Sequence, residues 1–162
     1  MKASSFTTYT VIGLSLVVGI VLTIWPLAGT MNWLRPVWVL LIMLYWTTVV
    51  PNRAGIKLAW GIGLALDGLH GSLLGEHALA YLLTIYLANL IRNQILASPL
   101  WLQALMVLLL LLIYQLTIYL VQGFAGQIIS SWQYWLASLT SATFWPIVFI
   151  ILRMQKQRFK IY

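Results

Sequence analysis

Long apolar runs separated by short polar breaks fill the chain as far as residue 152. A helix that crosses a bilayer needs about 20 apolar residues, with a range of about 17 to 25. On this basis the pattern predicts spans at residues 9–27, 36–50, 55–69, 76–91, 99–121 and 132–152. The sequence therefore predicts an all-α membrane protein with six transmembrane helices, made of one membrane domain, 1–152, and a basic cytoplasmic tail, 153–162.

The third span is the weakest of the six, because residues 55–69 are few, rich in glycine and interrupted by Asp67. A re-entrant segment is the alternative. If it turned back, however, the last helix would end on the outer side and export the basic tail, against the excess of Lys and Arg found in cytoplasmic loops. Six full crossings with both termini in the cytoplasm place eight of the nine basic residues inside. Only Arg35 then lies outside.

The first span could also be read as a signal peptide, since Lys2 precedes the apolar run and Ala28 follows it. The run is longer than the usual h-region of about 7–15 residues, and it is followed by no clean cleavage site of small residues. We therefore interpret it as a membrane helix.

Composition supports the membrane assignment. Hydrophobic residues make up 62% of the chain and charged residues 7%, against about 45–50% and about 25% in soluble domains. The basic residues are scattered singly or in pairs, except in the tail, so they form no footprint for nucleic acid and suit anionic lipid instead. Cysteine is absent, which excludes disulfides, thiolate nucleophiles and Cys-bound metals.

Polar residues outside this topological pattern gather at the outer ends of the second, third and fourth spans. They are Arg35, Asp67, His70, Ser72, Glu76 and His77. A charge in lipid is costly without a partner, so we expect Arg35 to pair with Asp67, or with Glu76 as the alternative. The cluster is either a clamp between helices or a site that binds a partner, and the sequence does not decide between the two.

Small residues recur every four positions along the third span, at Gly55, Ala59 and Gly63, and Asp67 continues the series. Residues at this spacing share one helix face, where small side chains allow the backbone of a neighbouring helix to approach. We interpret the third helix as a central one, enclosed by its neighbours.

Enzymatic chemistry has few candidate groups. One aspartate cannot form an aspartyl dyad, and no Gly-x-Ser-x-Gly elbow is present. His70 and His77 flank a single loop, and with two acids in the whole chain the ligands for zinc or haem are too few. We therefore expect no enzyme, metal or cofactor. Two alternatives stay open: an acid–base pair of Asp67 and His70, and a proton-coupled carrier that uses Asp67.

Residues 34–83 resemble the MreD family of rod-shape-determining membrane proteins of Gram-negative type. The markers are Arg35-Pro36, Tyr45-Trp46, Pro51-x-Arg53-x-Gly55, Gly63-x-x-x-Asp67, Leu74-Gly75 and Ala78-Leu79, with a late Trp145-Pro146 and a basic C-terminus. Each motif is weak by itself, but their order along the chain is specific. The likeness extends over nearly the whole sequence.

The resemblance implies a non-enzymatic scaffold in the elongasome, the machinery of peptidoglycan side-wall synthesis in the bacterial inner membrane. The implied partners are a bitopic MreC-like protein, MreB, RodA and a class B penicillin-binding protein, and a second copy of the chain is a further candidate. It also implies a fold similar to the S components of energy-coupling-factor transporters, with a cavity open to the outside. A small-molecule carrier of that type is the alternative function.

For the partner we expect contact at the outer end of the helices, through Trp33, Arg35, Pro36, Asp67, His70 and Glu76.

The topology gives a first prediction. An alkaline phosphatase fusion near residue 126 should be active and one at residue 162 inactive, because the enzyme matures only outside the cytoplasm. Activity at residue 162, or none near residue 126, would contradict six spans with both termini inside.

Overall fold

The computed structural model describes residues 5–25, 33–126, 131–159 and 161, and in these ranges the chain is helical with no strand. The helices are α1 (Ser5–Ile24), α2 (Trp38–Val49), α3 (Ile56–His70), α4 (Glu76–Leu90), α5 (Arg92–Ala97), α6 (Leu100–Phe124) and α7 (Leu136–Arg158). A 3-10 turn, Trp132–Trp135, leads into α7. The prediction of an all-α protein is confirmed.

Among the described residues, three helical segments are long and apolar enough to cross a membrane: α1, α6, and α7 together with its 3-10 turn. The helices α2, α3 and α4 are shorter, with 12, 15 and 15 residues. At a rise of about 1.5 Å per residue, a helix of 15 residues covers about 22 Å of a hydrocarbon layer that is about 30 Å thick. The three long apolar segments identify the chain as a membrane protein. Because α2, α3 and α4 are shorter than the hydrocarbon layer is thick, six crossings stay a prediction.

Two elements differ from the predicted boundaries. The six-residue helix α5 occupies a stretch that we expected to be a loop, and it is anchored by the buried side chain of Ile95. Helix α7 continues through residues 153–158, which we expected to form a separate tail. Arginine, lysine and glutamine favour helix, and cations are stabilised near a helix C-terminus, so the helix extends through this basic stretch.

The enclosed helix of the bundle is α2, where every side chain from Val39 to Thr48 is buried. It lies against α1, α4, α5 and α7. The interpretation of α3 as the central helix was wrong: α3 packs chiefly on α4, and its buried positions are Ala59, Gly63, Leu66 and Asp67. The small residues of α3 allow close contact with one neighbouring helix, α4, and not with neighbours on several sides.

Hydrogen bonds between side chains tie the helices together at several depths. The indole N–H of Trp46 donates to Ser15 Oγ at 2.9 Å, joining α2 to α1. Trp145, fully buried beside Pro146, donates from its indole nitrogen to Gln103 Oε1 at 3.4 Å, joining α7 to α6. A polar group in lipid has no water to bond with, so such pairings satisfy donors that would otherwise be unpaired.

Helices α3 and α4 approach each other closely at Gly63. A Cβ placed there would lie 2.3 Å from Cα of Ala78 on α4, whereas a Cβ at Gly61 would meet nothing within 4 Å. Gly55 stands outside the helix as the residue before Ile56, so its role is in the turn that leads to α3.

This contrast gives a matched pair of variants. Gly63→Ala should force α3 and α4 apart and lower the free energy of unfolding by about 1–3 kcal/mol, the usual effect of overpacking. Gly61→Ala, on the same helix, should leave stability unchanged or slightly higher. Thermal unfolding of both variants in detergent would measure the difference, and equal midpoints would contradict the close contact.

Candidate functional site

A cavity of about 600 Å³ opens at one end of the bundle, which we call the cavity end. Its walls come from the α3–α4 turn, the second half of α6, the start of α7 and the segment before α2. The site cavity is lined by Trp33, Val37, His70, Gly71, Ser72, Leu73, Glu76, His77, Tyr114, Gln115, Ile118, Gln122, Tyr134 and Ala137. It thus combines carboxylate, imidazole, amide and aromatic groups.

Asp67 holds the α3–α4 turn from behind this cavity. Its carboxylate accepts the backbone N–H groups of Gly75 and His77, each at 2.8 Å, together with His77 Nδ1 at 2.9 Å and Ser72 Oγ at 3.2 Å. The aspartate is 1% exposed. These four donors satisfy a buried charge that would be costly without partners. The Asp67 carboxylate therefore serves to fix the turn.

Glycines at both ends of the turn give it its shape. Gly71 ends α3 with φ +62°, and Gly75 precedes α4 with φ +98°. Glycine adopts these left-handed conformations without the steric cost that a side chain would add. The turn is therefore short enough for the N-terminus of α4 to reach the Asp67 carboxylate.

Two histidines stack on the wall that the turn provides. The rings of His70 and His77 lie 5.3 Å apart at an angle of 13°. His70 Nδ1 contacts the Leu66 carbonyl oxygen at 2.9 Å, and because a carbonyl only accepts, this nitrogen carries the proton. His77 Nδ1 contacts Asp67 in the same way. In the neutral rings each Nε2 is then an acceptor.

Glu76, the first residue of α4, is 2% exposed and lines the cavity. It accepts a hydrogen bond of 2.6 Å from Gln122 Nε2, which links α4 to α6. A carboxylate is favoured at a helix N-terminus by the helix dipole. This acid therefore supplies negative charge at the cavity wall.

The opposite wall depends on Gln115, which sequence reasoning missed. The Nε2 of Gln115 donates to the backbone carbonyl of Tyr134 at 2.8 Å, and the Tyr134 hydroxyl donates to the backbone carbonyl of Gln115 at 3.1 Å. The Ser138 hydroxyl donates to Oε1 of Gln115. Gln122, likewise missed, lies seven residues further along α6. Two glutamines at this spacing share one helix face. In an otherwise apolar helix, this polar face was the sequence signal that could have indicated both residues.

Arg35 does not form the predicted ion pair with Asp67 or Glu76. Its guanidinium donates to the carbonyl oxygens of Thr23 and Trp25, at the end of α1. The last carbonyls of a helix lack partners within the helix and attract cations, so they compete with the carboxylates. In the described parts of the chain, the acid–base contact within 4 Å is that between Asp67 and His77, which is an ion pair only when the histidine is protonated.

The predicted site residues thus divide into two groups. Trp33, His70 and Glu76 line the site cavity, and Asp67 lies behind it. Arg35 and Pro36 line a smaller neighbouring cavity of about 190 Å³, which shares His70 and His77 with the first. Within the described ranges, no three His, Asp or Glu side chains are grouped so that they could hold a metal ion.

Comparison with known proteins gives the lineage. The model of a family described as rod shape-determining protein MreD matches residues 4–155. The chain belongs to the MreD family. A relative in Haemophilus influenzae, called rod shape-determining protein MreD, is 33% identical over 140 residues, which cover 85% of this chain and 84% of that protein. No solved structure matches. Membership in the MreD family implies a role in determining rod shape.

The geometry predicts which charged residues are coupled. Loss of Asp67 and loss of His77 should be non-additive in unfolding free energy, with an interaction of about 0.5–3 kcal/mol, because the two side chains share a hydrogen bond. Arg35→Ala and Asp67→Ala should add within about 0.5 kcal/mol.

Thermal unfolding of the single and double alanine variants in detergent would test both statements. Additive effects for Asp67 and His77, or strong coupling of Asp67 to Arg35, would contradict this arrangement.

Proposed function

We propose that this MreD family member is a non-enzymatic, multi-pass scaffold of the cell-elongation machinery in the bacterial inner membrane. It binds an MreC-like bitopic partner at its cavity end, which faces the periplasm, and through that partner joins MreB, RodA and a class B penicillin-binding protein. The observation that carries the proposal is the site cavity, a polar concave surface at one end of an otherwise apolar bundle.

The arrangement of the helices supports six crossings. Gln122 near the end of α6 contacts Glu76 at the start of α4, so these two helix ends lie together. Tyr9 in α1 lies 5.8 Å below the guanidinium of Arg53, while the far end of α1 receives Arg35. These contacts support an alternating direction of α1, α2, α3, α4, α6 and α7 between two ends.

Charge divides in the same way. Both acids lie at the cavity end, and the opposite end, which we call the basic end, carries Arg53, Lys57, Arg92, Arg153, Lys156 and Arg158. Lys and Arg are enriched on the cytoplasmic side of membrane proteins, so the basic end faces the cytoplasm. The start of α1 and the end of α7 then belong to that side, and Lys2 and Lys160 lie outside the described residues.

A specific partner has more to recognise at the cavity end. The basic end has a cavity of about 460 Å³, where Arg153 and Lys156 suit anionic lipid. Such attraction is worth about 1 kcal/mol per basic residue and gives little specificity. Buried polar groups of fixed geometry discriminate better, since a mismatched partner leaves them unpaired.

A small-molecule carrier, similar to the S components of energy-coupling-factor transporters, is the second candidate function. The size of the site cavity favours it, because ligand pockets measure about 300–1,000 Å³. Genomic context separates the two: a neighbouring gene for an MreC-like protein supports the scaffold, and one for a transporter ATPase supports the carrier.

Depletion in a rod-shaped host should turn the cells round, and charge reversal by Glu76→Lys or Arg35→Glu should weaken co-purification with the MreC-like partner several-fold. The matched control is Lys156→Gln with Arg158→Gln at the basic end, which should leave co-purification intact. Membrane abundance of each variant is measured alongside, so that loss of the protein is not mistaken for loss of binding.

Photocrosslinking from both ends gives the contrary outcome. Crosslinks to the partner from the basic end, with none from the cavity end, would overturn the proposed site.

A further inference from the structure

We propose that the site cavity binds an organic cation, an ammonium or guanidinium group, whose charge pairs with the carboxylate of Glu76. The cation belongs either to a Lys or Arg side chain of the partner, in which case the inference rests on the function proposed above, or to a free amine. Both sources share the chemistry that the cavity recognises.

The two acids of the chain are in different situations. Asp67 is satisfied by four donors and does not line the cavity. Glu76 receives one hydrogen bond, from Gln122, among the described residues, and no described Lys, Arg or His nitrogen lies within 4 Å of it. Glu76 is buried, with 2% of its surface exposed to solvent. A buried carboxylate with one amide donor is thus left without a counter-charge.

Among the described residues, no Lys or Arg is in position to supply that charge. Within the described ranges, no Lys or Arg lines the site cavity. Arg35 lines the smaller neighbouring cavity, but its guanidinium donates to the carbonyls of Thr23 and Trp25. The other described basic residues lie at the basic end. Because a buried charge is costly without an opposite charge, the favourable counter-charge comes from a ligand.

The other groups of the wall favour the same class of ligand. Nε2 of His70 and of His77 are acceptors in the neutral rings, because Nδ1 of each donates elsewhere. An ammonium group brings three donors to such a wall and a guanidinium five.

Aromatic rings complete the wall. Trp33, Tyr114 and Tyr134 all line the cavity, and the face of an aromatic ring attracts a cation. An anion would be repelled by Glu76, and a neutral ligand would leave the carboxylate without a counter-charge. The cavity is also large enough for the aliphatic stem of a lysine or arginine side chain, at about 600 Å³.

The test compares ligands of one shape that differ in charge. Calorimetry on the purified full chain in detergent, at constant ionic strength and neutral pH, would measure binding of n-pentylammonium, n-pentylguanidinium and n-pentanol. The cations should bind about tenfold more tightly than the alcohol, as expected for a hydrogen bond to a charged group. Equal affinity for the cations and the alcohol would overturn the proposal.

Variants locate the binding. Glu76→Gln should lower cation affinity to that of the alcohol, because glutamine still accepts from Gln122 but carries no charge; unchanged cation binding would overturn the proposal. A second pair serves if that variant does not fold. Trp33→Ala should weaken cation binding several-fold, whereas Trp132→Ala, 72% exposed and absent from the cavity wall, should not. Equal effects of the two tryptophan variants would also contradict the site.

Competition with the partner identifies the source of the cation. If excess n-pentylguanidinium releases the co-purified MreC-like protein from the wild type but not from Trp33→Ala, the cation is a side chain of the partner. If the partner stays bound while the probe binds, a free amine is the occupant, and the site stands in both cases. Failure of the proposed function would give a different result. The MreC-like protein would then be absent from the wild-type preparation, whether or not the probe binds.

Discussion

The Asp67 carboxylate accepts the first backbone N–H groups around the start of α4, and this places the rest of the site. Once α4 is held there, Glu76 points to α6 and bonds Gln122, while His77 stacks on His70. The close contact of α3 with α4 follows from the same turn, since helices joined so tightly must approach each other. Loss of this one carboxylate would therefore loosen two helices and two walls of the cavity.

An apolar solvent explains why so few polar residues organise so much structure. In water, Gln115 and Gln122 could be solvated in any conformation, but in lipid their amides must find partners within the protein. Each therefore bonds to a specific atom on another helix, as Gln115 does with Tyr134. Glu76, Gln115 and Gln122 thus both join helices and line the cavity, so the helix clamp and the proposed binding site use the same side chains.

Charge asymmetry connects the fold to its proposed role. Nine basic residues and two acids cannot neutralise one another, and the two acids lie at the cavity end. The basic end can be satisfied by anionic lipid, which is abundant and non-specific. At the cavity end Asp67 is satisfied internally, whereas Glu76 has one amide donor among the described residues and is the proposed partner of a cationic ligand. An elongation scaffold that recognises a periplasmic partner would bind it at the cavity end, where Glu76 lacks a counter-charge among the described residues.

The sequence by itself determined the helical class, the family and the approximate positions of all the helices except α5, because apolar length and the charges at helix ends are local properties of the chain. It also placed the charged and histidine residues of the site at one end, although it missed Gln115 and Gln122. Tertiary structure decided their pairing: Arg35 bonds to the end of α1 and Asp67 bonds to the α4 backbone, and α2 is the enclosed helix. Sequence could not predict these choices, because backbone carbonyls and N–H groups compete with side chains for each charge, and only packing determines which of them lies within reach.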